Sequence, residues 1–384
     1  MAQAYIVDAV RTAGGRRNGR LSGVHPADLA GDVLSSLVAR TGIDPASIED
    51  VVLGCVTQAG EQSFAFARNA VLASNLPTSV PAVTVDRQCG SSQQAVQFAA
   101  QAIMSGTQDV VIAAGAESMS RVPMFSNQAG GGVPVSDRIR QRFGVEGFSQ
   151  FEGAEMMARK YGYSRETLDR FALHSHQRAA AAIDAGAFEQ EIVPIRIKTS
   201  DGTAVHQIDE GVRADSTLEK IGSLKTLVEG GVITAGNASQ ICDGASALLV
   251  VSERALRAHG LTPIARIHAM AVTAGDPVIM LEEPLAATQK LLERAGMSID
   301  EIDLYEVNEA FAPVPLAWLE VIKADPARLN IHGGSIALGH PLGSSGTKLM
   351  ATLVHALRRH GKRYGLQTMC EAGGIANAMI IEAL

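Results

Sequence analysis

One cysteine and one histidine in this chain stand where side-chain chemistry is easiest to arrange. Cys89 lies in V-T-V-D-R-Q-C-G-S-S-Q-Q-A-V, at the change from an apolar β-branched run to a helical pattern, which places it at a helix N-terminus. Backbone N–H groups and the helix dipole stabilise an anion there, so the thiol is expected below its usual pKa of about 8.5, with more thiolate to attack a carbonyl. Taken alone, a cysteine at such a junction is more often a small core residue. His340 lies in N-I-H-G-G-S-I-A-L-G-H-P-L-G-S-S-G, Asn330 to Gly346, among five glycines. Glycine at that density means that backbone approaches another group closely, which a structural histidine seldom needs.

The spacing ties the two together. The stretch from Leu37, L-V-A-R-T-G-I-D-P-A-S-I-E-D-V-V-L-G-C-V-T-Q, returns near Leu292 as L-E-R-A-G-M-S-I-D-E-I-D-L-Y-E-V-N-E. In both copies a helix ends at Arg-x-Gly, a loop reaches Ser-Ile-Asp/Glu and a strand follows. Cys89 stands 42 residues after Ser47, and His340 stands 42 residues after Ser298. Each is followed by small residues, Gly90-Ser91-Ser92 or Gly343-Ser344-Ser345-Gly346, and then by a helix, so a duplication would bring both loops to one seam.

Around these loops Asp109 to Ala114 reads as a buried strand, while Asp28 to Arg40 and Gln93 to Met104 carry helical spacing. Alternating strands and helices predict an α/β fold with a sheet covered on both faces. Residues from about 120 to 236 match neither copy and contain Gly130-Gly131-Gly132 and a basic run, so they are expected to form an inserted lid or loop domain. The expected division is 1–119, completed by about 237–260, then the insertion at 120–236, then 261–384.

Composition sets the outer bounds. A chain of 384 residues exceeds a single ordinary core. Hydrophobic residues at 46% and charged residues at 19% are ordinary globular usage, with no bilayer-length apolar run; no membrane partner is expected. A net charge of −7 argues against general nucleic-acid binding, although Arg138, Arg140 and Arg142 could face an anionic cofactor. The four cysteines, Cys55, Cys89, Cys242 and Cys370, are far apart with no C-x-x-C pair, which argues against a metal site or disulfide framework and for a reducing compartment. No targeting segment is read at either end, and a cytoplasmic enzyme is the simplest placement.

The Asn330 to Gly346 segment resembles the C-terminal signature of the thiolase family, in which the histidine activates a nucleophilic cysteine. Asn308-Glu309-Ala310-Phe311 resembles the family's N-E-A-F motif, and Cys370-Glu371-Ala372-Gly373-Gly374 its second-cysteine loop; the likeness extends to 2–23 and to Thr234 to Ser239. The resemblance implies two duplicated βαβαβαββ halves in a five-layered α-β-α-β-α core with an inserted loop domain, generally in a homodimer or homotetramer. It implies acyl transfer between coenzyme A thioesters, with acyl-CoA and free CoA as substrates and no metal. His340 would take the proton of Cys89, the thiolate would attack the 3-keto carbon, and Cys370 would protonate the departing carbanion. One oxyanion site would use His340 and a water held by Asn308, the other the backbone N–H groups of Cys89 and Ala372. Arg213, Leu224 and Ser239 would line the CoA path, the arginine suiting phosphate through its planar donors.

The chain departs from the family pattern in its last loop, which bears on the oxyanion site, and in two acyl-pocket stretches, which bear on specificity. Ala372 replaces the first glycine of the last loop and requires a negative φ. The acyl-pocket stretches read Gln150-Phe151-Glu152-Gly153-Ala154-Glu155 and Met280-Leu281-Glu282-Glu283-Pro284, which points to a degradative member taking longer or bulkier acyl groups. The alternatives are a short-chain acetoacetyl-CoA acetyltransferase, a condensing enzyme of the same fold, a Cys-His hydrolase, and a non-catalytic acyl-CoA-binding relative.

Overall fold

In the computed structural model, which describes residues 2–200 and 202–384, the repeat in the sequence is a repeat in space. Strands β1 (Ala4–Thr12), β2 (Asp50–Gly54), β3 (Ala82–Val85), β4 (Val110–Ser118) and β5 (Cys242–Ser252) run in the order β3-β2-β4-β5-β1. Strands β6 (Ala265–Ala274), β7 (Leu304–Val307), β8 (Tyr364–Glu371) and β9 (Ile375–Ala383) run in the order β7-β8-β9-β6, with a Tyr305–Leu329 bridge where the first half has β3. In each half the outer pairings are parallel and the inner ones antiparallel. The halves join where Tyr5 and Ile6 pair with Arg266 and Ala265.

Helices α1 (Pro26–Thr41), α2 (Phe66–Ala73), α3 (Ser91–Ser105), α6 (Glu283–Ala295), α7 (Pro313–Ile322) and α8 (Ser345–Arg359) pack on these strands, while α4 (Gln150–Lys160) and α5 (Arg165–Asp184) lie in the connection between β4 and β5. Because successive strand residues face opposite ways, each strand feeds two cores. Val110, Ile112 and Ala114 of β4 pack with Leu34 of α1 and Val71 of α2, whereas Val111 and Ala113 pack with Ala95 of α3 and Val354 of α8. On the second sheet Met379 and Ile381 join that middle core, while Leu366 and Ile380 face α6 and α7. The layers are therefore helix, sheet, helix pair, sheet, helix.

The local signals explain the boundaries. α1 and α6 end at Gly42 (φ 67°) and Gly296 (φ 65°), whose lack of a Cβ permits the left-handed cap. Short turns at 45–47 and 299–301 then lead into β2 and β7. α3 and α8, the helices that begin after Cys89 and His340, form the middle layer and pack against each other. Their first turns touch so closely that a Cβ on Gly346 would strike the backbone of Gln93, and one on Gly343 that of Cys55. This contact carries both loops to one seam.

Residues 119–241 lie between β4 and β5, whereas the matching connection in the second half, β8 to β9, is the turn Ala372-Gly373-Gly374. The intervening chain crosses the seam: Met157 of α4 and Leu168 of α5 are buried with Tyr305 and Trp318 of the second half. Buried Arg11 of β1 holds it from the other side through Glu191 at 2.5 Å and Asp209 at 2.8 Å.

Candidate active site

Cys89 follows β3 in a turn locked by its own side chains. Asp86 Oδ1 accepts from Gln88 N at 2.7 Å, and Ser91 Oγ accepts from Arg87 N at 2.9 Å while donating to Gln88 O. Gln88 takes φ 47°, a left-handed conformation that costs a non-glycine residue about 1 kcal/mol or more. The strain sets the thiol one residue ahead of the N-cap Gly90, packed with Leu342, Leu349 and Met369.

His340 is buried and held at both ring nitrogens. Asn308 Nδ2, a donor, lies 3.4 Å from Nε2, so Nε2 carries the lone pair and Nδ1 the proton. Nδ1 then donates to Ser345 Oγ at 2.5 Å, and Ser345 Oγ donates to Pro341 O at 2.9 Å. Asn308 is oriented by Ser335 Oγ, which donates to its Oδ1 at 2.6 Å. The chain of bonds fixes an imidazole with the proton on Nδ1 and the accepting lone pair on Nε2, which faces the Asn308 amide across a long 3.4 Å contact.

Burial, with the Lys348 cation adding to it, pulls His340 down to about 3. The imidazole is neutral and able to accept a proton. The expectation of a lowered Cys89 pKa is corrected: burial pushes that thiol well above its ordinary value, and Cys370 and Glu371 add like-charge repulsion. The helix terminus is present, but desolvation outweighs it. Burial likewise pushes Cys370, at the end of β8, up to about 12. At rest the two thiols and the imidazole are therefore all uncharged. Ala372 is absent from the non-glycine residues with positive φ, while Gly373 (φ 89°) and Gly374 (φ 72°) take the left-handed positions, so the methyl group is accommodated.

Three cavities with shared wall residues lie here. One of about 230 Å³ is bounded by Cys89, Ala372, Phe125, Phe148, Phe151 and Met280. Phe151 and Leu342 also line a neck of about 60 Å³ that holds His340, Ser239 and Phe311. Gln240 joins that neck to an outer cavity of about 460 Å³ bearing Arg213, Lys220, His176 and Leu224. The structure therefore brings Arg213 and Leu224 together, with Ser239 between them and the imidazole. Arg138, Arg140 and Arg142 lie elsewhere, on the exposed helix Asp137–Phe143, where Arg140 faces Asp137 and Glu146.

Residue-type reasoning overlooked the groups that hold the loops. Fully buried Glu117 accepts from Val56 N, Thr57 N, Gln62 Nε2 and Gly343 N at 2.8–3.0 Å, tying the first-half loop to the histidine loop. Glu309 accepts from Ser175 Oγ, Asn330 Nδ2 and Ile336 N. Ser345 and Glu309 sit inside the quoted motifs and carried that signal; Glu117, in a plain strand, carried none.

The family model for the thiolase N-terminal domain matches residues 4–254, and that for the thiolase C-terminal domain matches residues 261–383. The chain is 53% identical to the steroid 3-ketoacyl-CoA thiolase FadA6 of Mycobacterium tuberculosis, over all of this chain and 95% of that protein. It is 45% identical to a beta-ketoadipyl-CoA thiolase of Escherichia coli, over the full length of both. The crystal structure of the Bacillus anthracis acetyl-CoA acetyltransferase superposes with a TM-score of 0.91 at 37% identity, covering 100% of this chain and 99% of that one. Matched over both halves in sequence and fold, the chain belongs to the thiolase family.

Proposed function

We propose that this thiolase cleaves 3-ketoacyl-CoA with free CoA, and runs the reverse Claisen condensation, through an acyl-Cys89 intermediate. The observation that carries this reading is Cys89 on the wall of one cavity and a neutral, bond-locked His340 on the wall of the next, which shares Gln240 with the arginine-bearing one, while Cys370 is near enough to Cys89 to repel its charge. Nε2 takes the Cys89 proton, and the thiolate adds to the 3-keto carbon. The resulting oxyanion faces the imidazolium N–H and a water on Asn308. When the C2–C3 bond breaks, Cys370 gives its proton to the acetyl-CoA carbanion, whose thioester oxygen is held by the backbone N–H groups of Cys89 and Ala372. The CoA thiol then takes the acyl group from Cys89 and leaves a proton for Cys370. Arg213 and Lys220 suit the phosphates of CoA, with Leu224 and Ser239 along its path.

The acyl cavity favours apolar, bulky groups. Phe125, Phe148, Phe151, Met124 and Met280 form its apolar wall, the polar groups Thr57, Gln88, Asn127, Gln128, Ser149 and Gln150 are uncharged, and no lysine or arginine stands among its described lining residues. A dicarboxylic tail of the kind named for the beta-ketoadipyl relative would lie there without a cation, at a desolvation cost of several kcal/mol. A ring-derived acyl group, as in the name of the steroid relative, has only apolar area to bury. We further assign residues 120–236 as the CoA- and acyl-binding insertion. We also propose a cytoplasmic homodimer or homotetramer; the buried, unpaired cysteines and the exposed Val83 on edge strand β3, with exposed Leu72 on α2 and Phe64 just before α2, support this reading.

The test is CoA-dependent loss of acetoacetyl-CoA, a medium-chain, an alicyclic and a 3-ketoadipyl substrate, with mass spectrometry of the Cys89 peptide. Acylated Cys89 and turnover rising with apolar bulk support the reading. Turnover of acetoacetyl-CoA alone defines a short-chain acetyltransferase instead, and no acylation of Cys89 removes the nucleophile assignment.

A further inference from the structure

Beneath the nucleophile's turn lies a carboxyl group that the reaction does not use. Glu371 is fully buried, and its side chain crosses Gly90, where any Cβ would collide with Oε1. Neither oxygen has a hydrogen-bond partner. Three other buried carboxyls around the site are well bonded: Glu117 by four N–H donors, Glu309 by the Ser175 hydroxyl and two N–H donors, and Glu155 by the N–H groups of Val232 and Ile233; Glu306 and Asp243 each keep one oxygen unpaired, whereas Glu371 keeps both. The donors beside Glu371 are turned elsewhere. Asn377 Nδ2 donates to Gly90 O at 3.0 Å, and Arg87 Nε is unpaired. A carboxylate in that setting would have the nearby Arg87 charge but no direct ion pair to offset its burial, whereas a neutral acid is tolerable.

Gly90 is also the N-cap of the 15-residue helix α3, whose terminus faces Cys89. That terminus can stabilise one negative charge well. We infer that Glu371 is a positioning residue for the nucleophile, an uncharged acid pressed against Gly90 that leaves the mouth of α3 free for the Cys89 thiolate and, when ionised, suppresses it. This rests on the reading of Cys89 as nucleophile. The charged and titratable groups facing Glu371 are Cys89 at the α3 mouth, Arg87 and Asp86 in the turn, and Cys370 on its own strand; burial raises Glu371 well above the carboxylate range, and Arg87 opposes this. The two acids share their titration, so Cys89 ionises later than it would alone.

The experiment is the pH dependence of Cys89 alkylation by iodoacetamide, followed on the Cys89 peptide in wild type, Glu371→Gln and Glu371→Leu. The leucine variant removes both orphaned oxygens and keeps the site filled. Each folded variant should show its alkylation midpoint about one pH unit below wild type, because the wild-type thiol ionises against an already ionised Glu371, with the curves converging at a pH low enough to keep Glu371 neutral. A role in packing alone moves thermal stability and not the midpoint. Coincident midpoints in either folded variant overturn the inference, while acylation of wild-type Cys89 by acetyl-CoA reports separately on whether it is the nucleophile at all.

Discussion

Replacing Ser345 with alanine tests the tautomer on which the proposed chemistry turns. In the wild type Nδ1–H of His340 has one acceptor, Ser345 Oγ at 2.5 Å, and the ring is only 2% exposed, so bulk water cannot substitute. Ser345→Ala leaves that N–H unsatisfied at a cost of about 1–3 kcal/mol. The imidazole escapes the cost by moving its proton to Nε2, the nitrogen required as base. Restoring the productive tautomer then adds about 1–3 kcal/mol to the barrier, which is roughly a fivefold to 150-fold loss in kcat with little change in the KM for CoA. The neighbouring Ser344→Ala is the control, because Ser344 Oγ bonds Ser246 Oγ at 2.7 Å and does not touch the imidazole. It should lower stability by about 1 kcal/mol and leave kcat within twofold. The assay is steady-state thiolysis of the preferred 3-ketoacyl-CoA, paired with rapid-quench acylation of Cys89. Should Ser345→Ala retain wild-type kcat and acylation rate, the tautomer argument fails and the serine is only a cap for α8.

Three further outcomes follow from the geometry. Cys89→Ser should abolish acyl-enzyme formation, whereas Cys370→Ser should still acylate Cys89 from acetyl-CoA but fail in carbon–carbon cleavage; equal loss of both half-reactions would contradict the division of labour. Arg213→Ala should raise the KM for CoA roughly fivefold to tenfold, about 1 kcal/mol for a solvent-accessible phosphate contact, with kcat retained; an unchanged KM would move the phosphates elsewhere. His332, lowered to about 4 chiefly by burial, is neutral in the fold and protonates on unfolding below about pH 6.5. Its stabilisation is therefore present above pH 6.5 and lost as pH falls from 6.5 to 4, by about 3 kcal/mol in all. Denaturant titrations of His332→Phe should show that slope reduced by about one proton, and parallel curves would refute it.

Much of the site was legible because motif and spacing carry covalent information. The equal offsets from Ser47 and Ser298 told that Cys89 and His340 occupy equivalent places, and the glycines told that the backbones converge, which Gly346 against Gln93 explains sterically. The electrostatics were not legible. A helix N-terminus predicts a lowered thiol, yet how much desolvation opposes it depends on what packs over residue 89, and Leu342, Leu349 and Met369 come from distant segments. The basic run at 138–142 misled for the same reason, since sequence shows a charge cluster but not the direction it faces.

The amino-acid sequence by itself determined the duplicated α/β architecture, the helix stops at Gly42 and Gly296, and the identity of the thiols, imidazole and amide that meet at the seam. These follow from local rules of periodicity, capping and residue chemistry. Tertiary structure alone decided that Glu117 clamps the histidine loop, that Nε2 rather than Nδ1 of His340 accepts, that Glu371 lies unpaired under Gly90, and that Phe125, Phe148 and Phe151 gather around the Cys89 cavity. Each of those depends on atoms brought together from remote parts of the chain, and burial and hydrogen-bond satisfaction exist only once they have met.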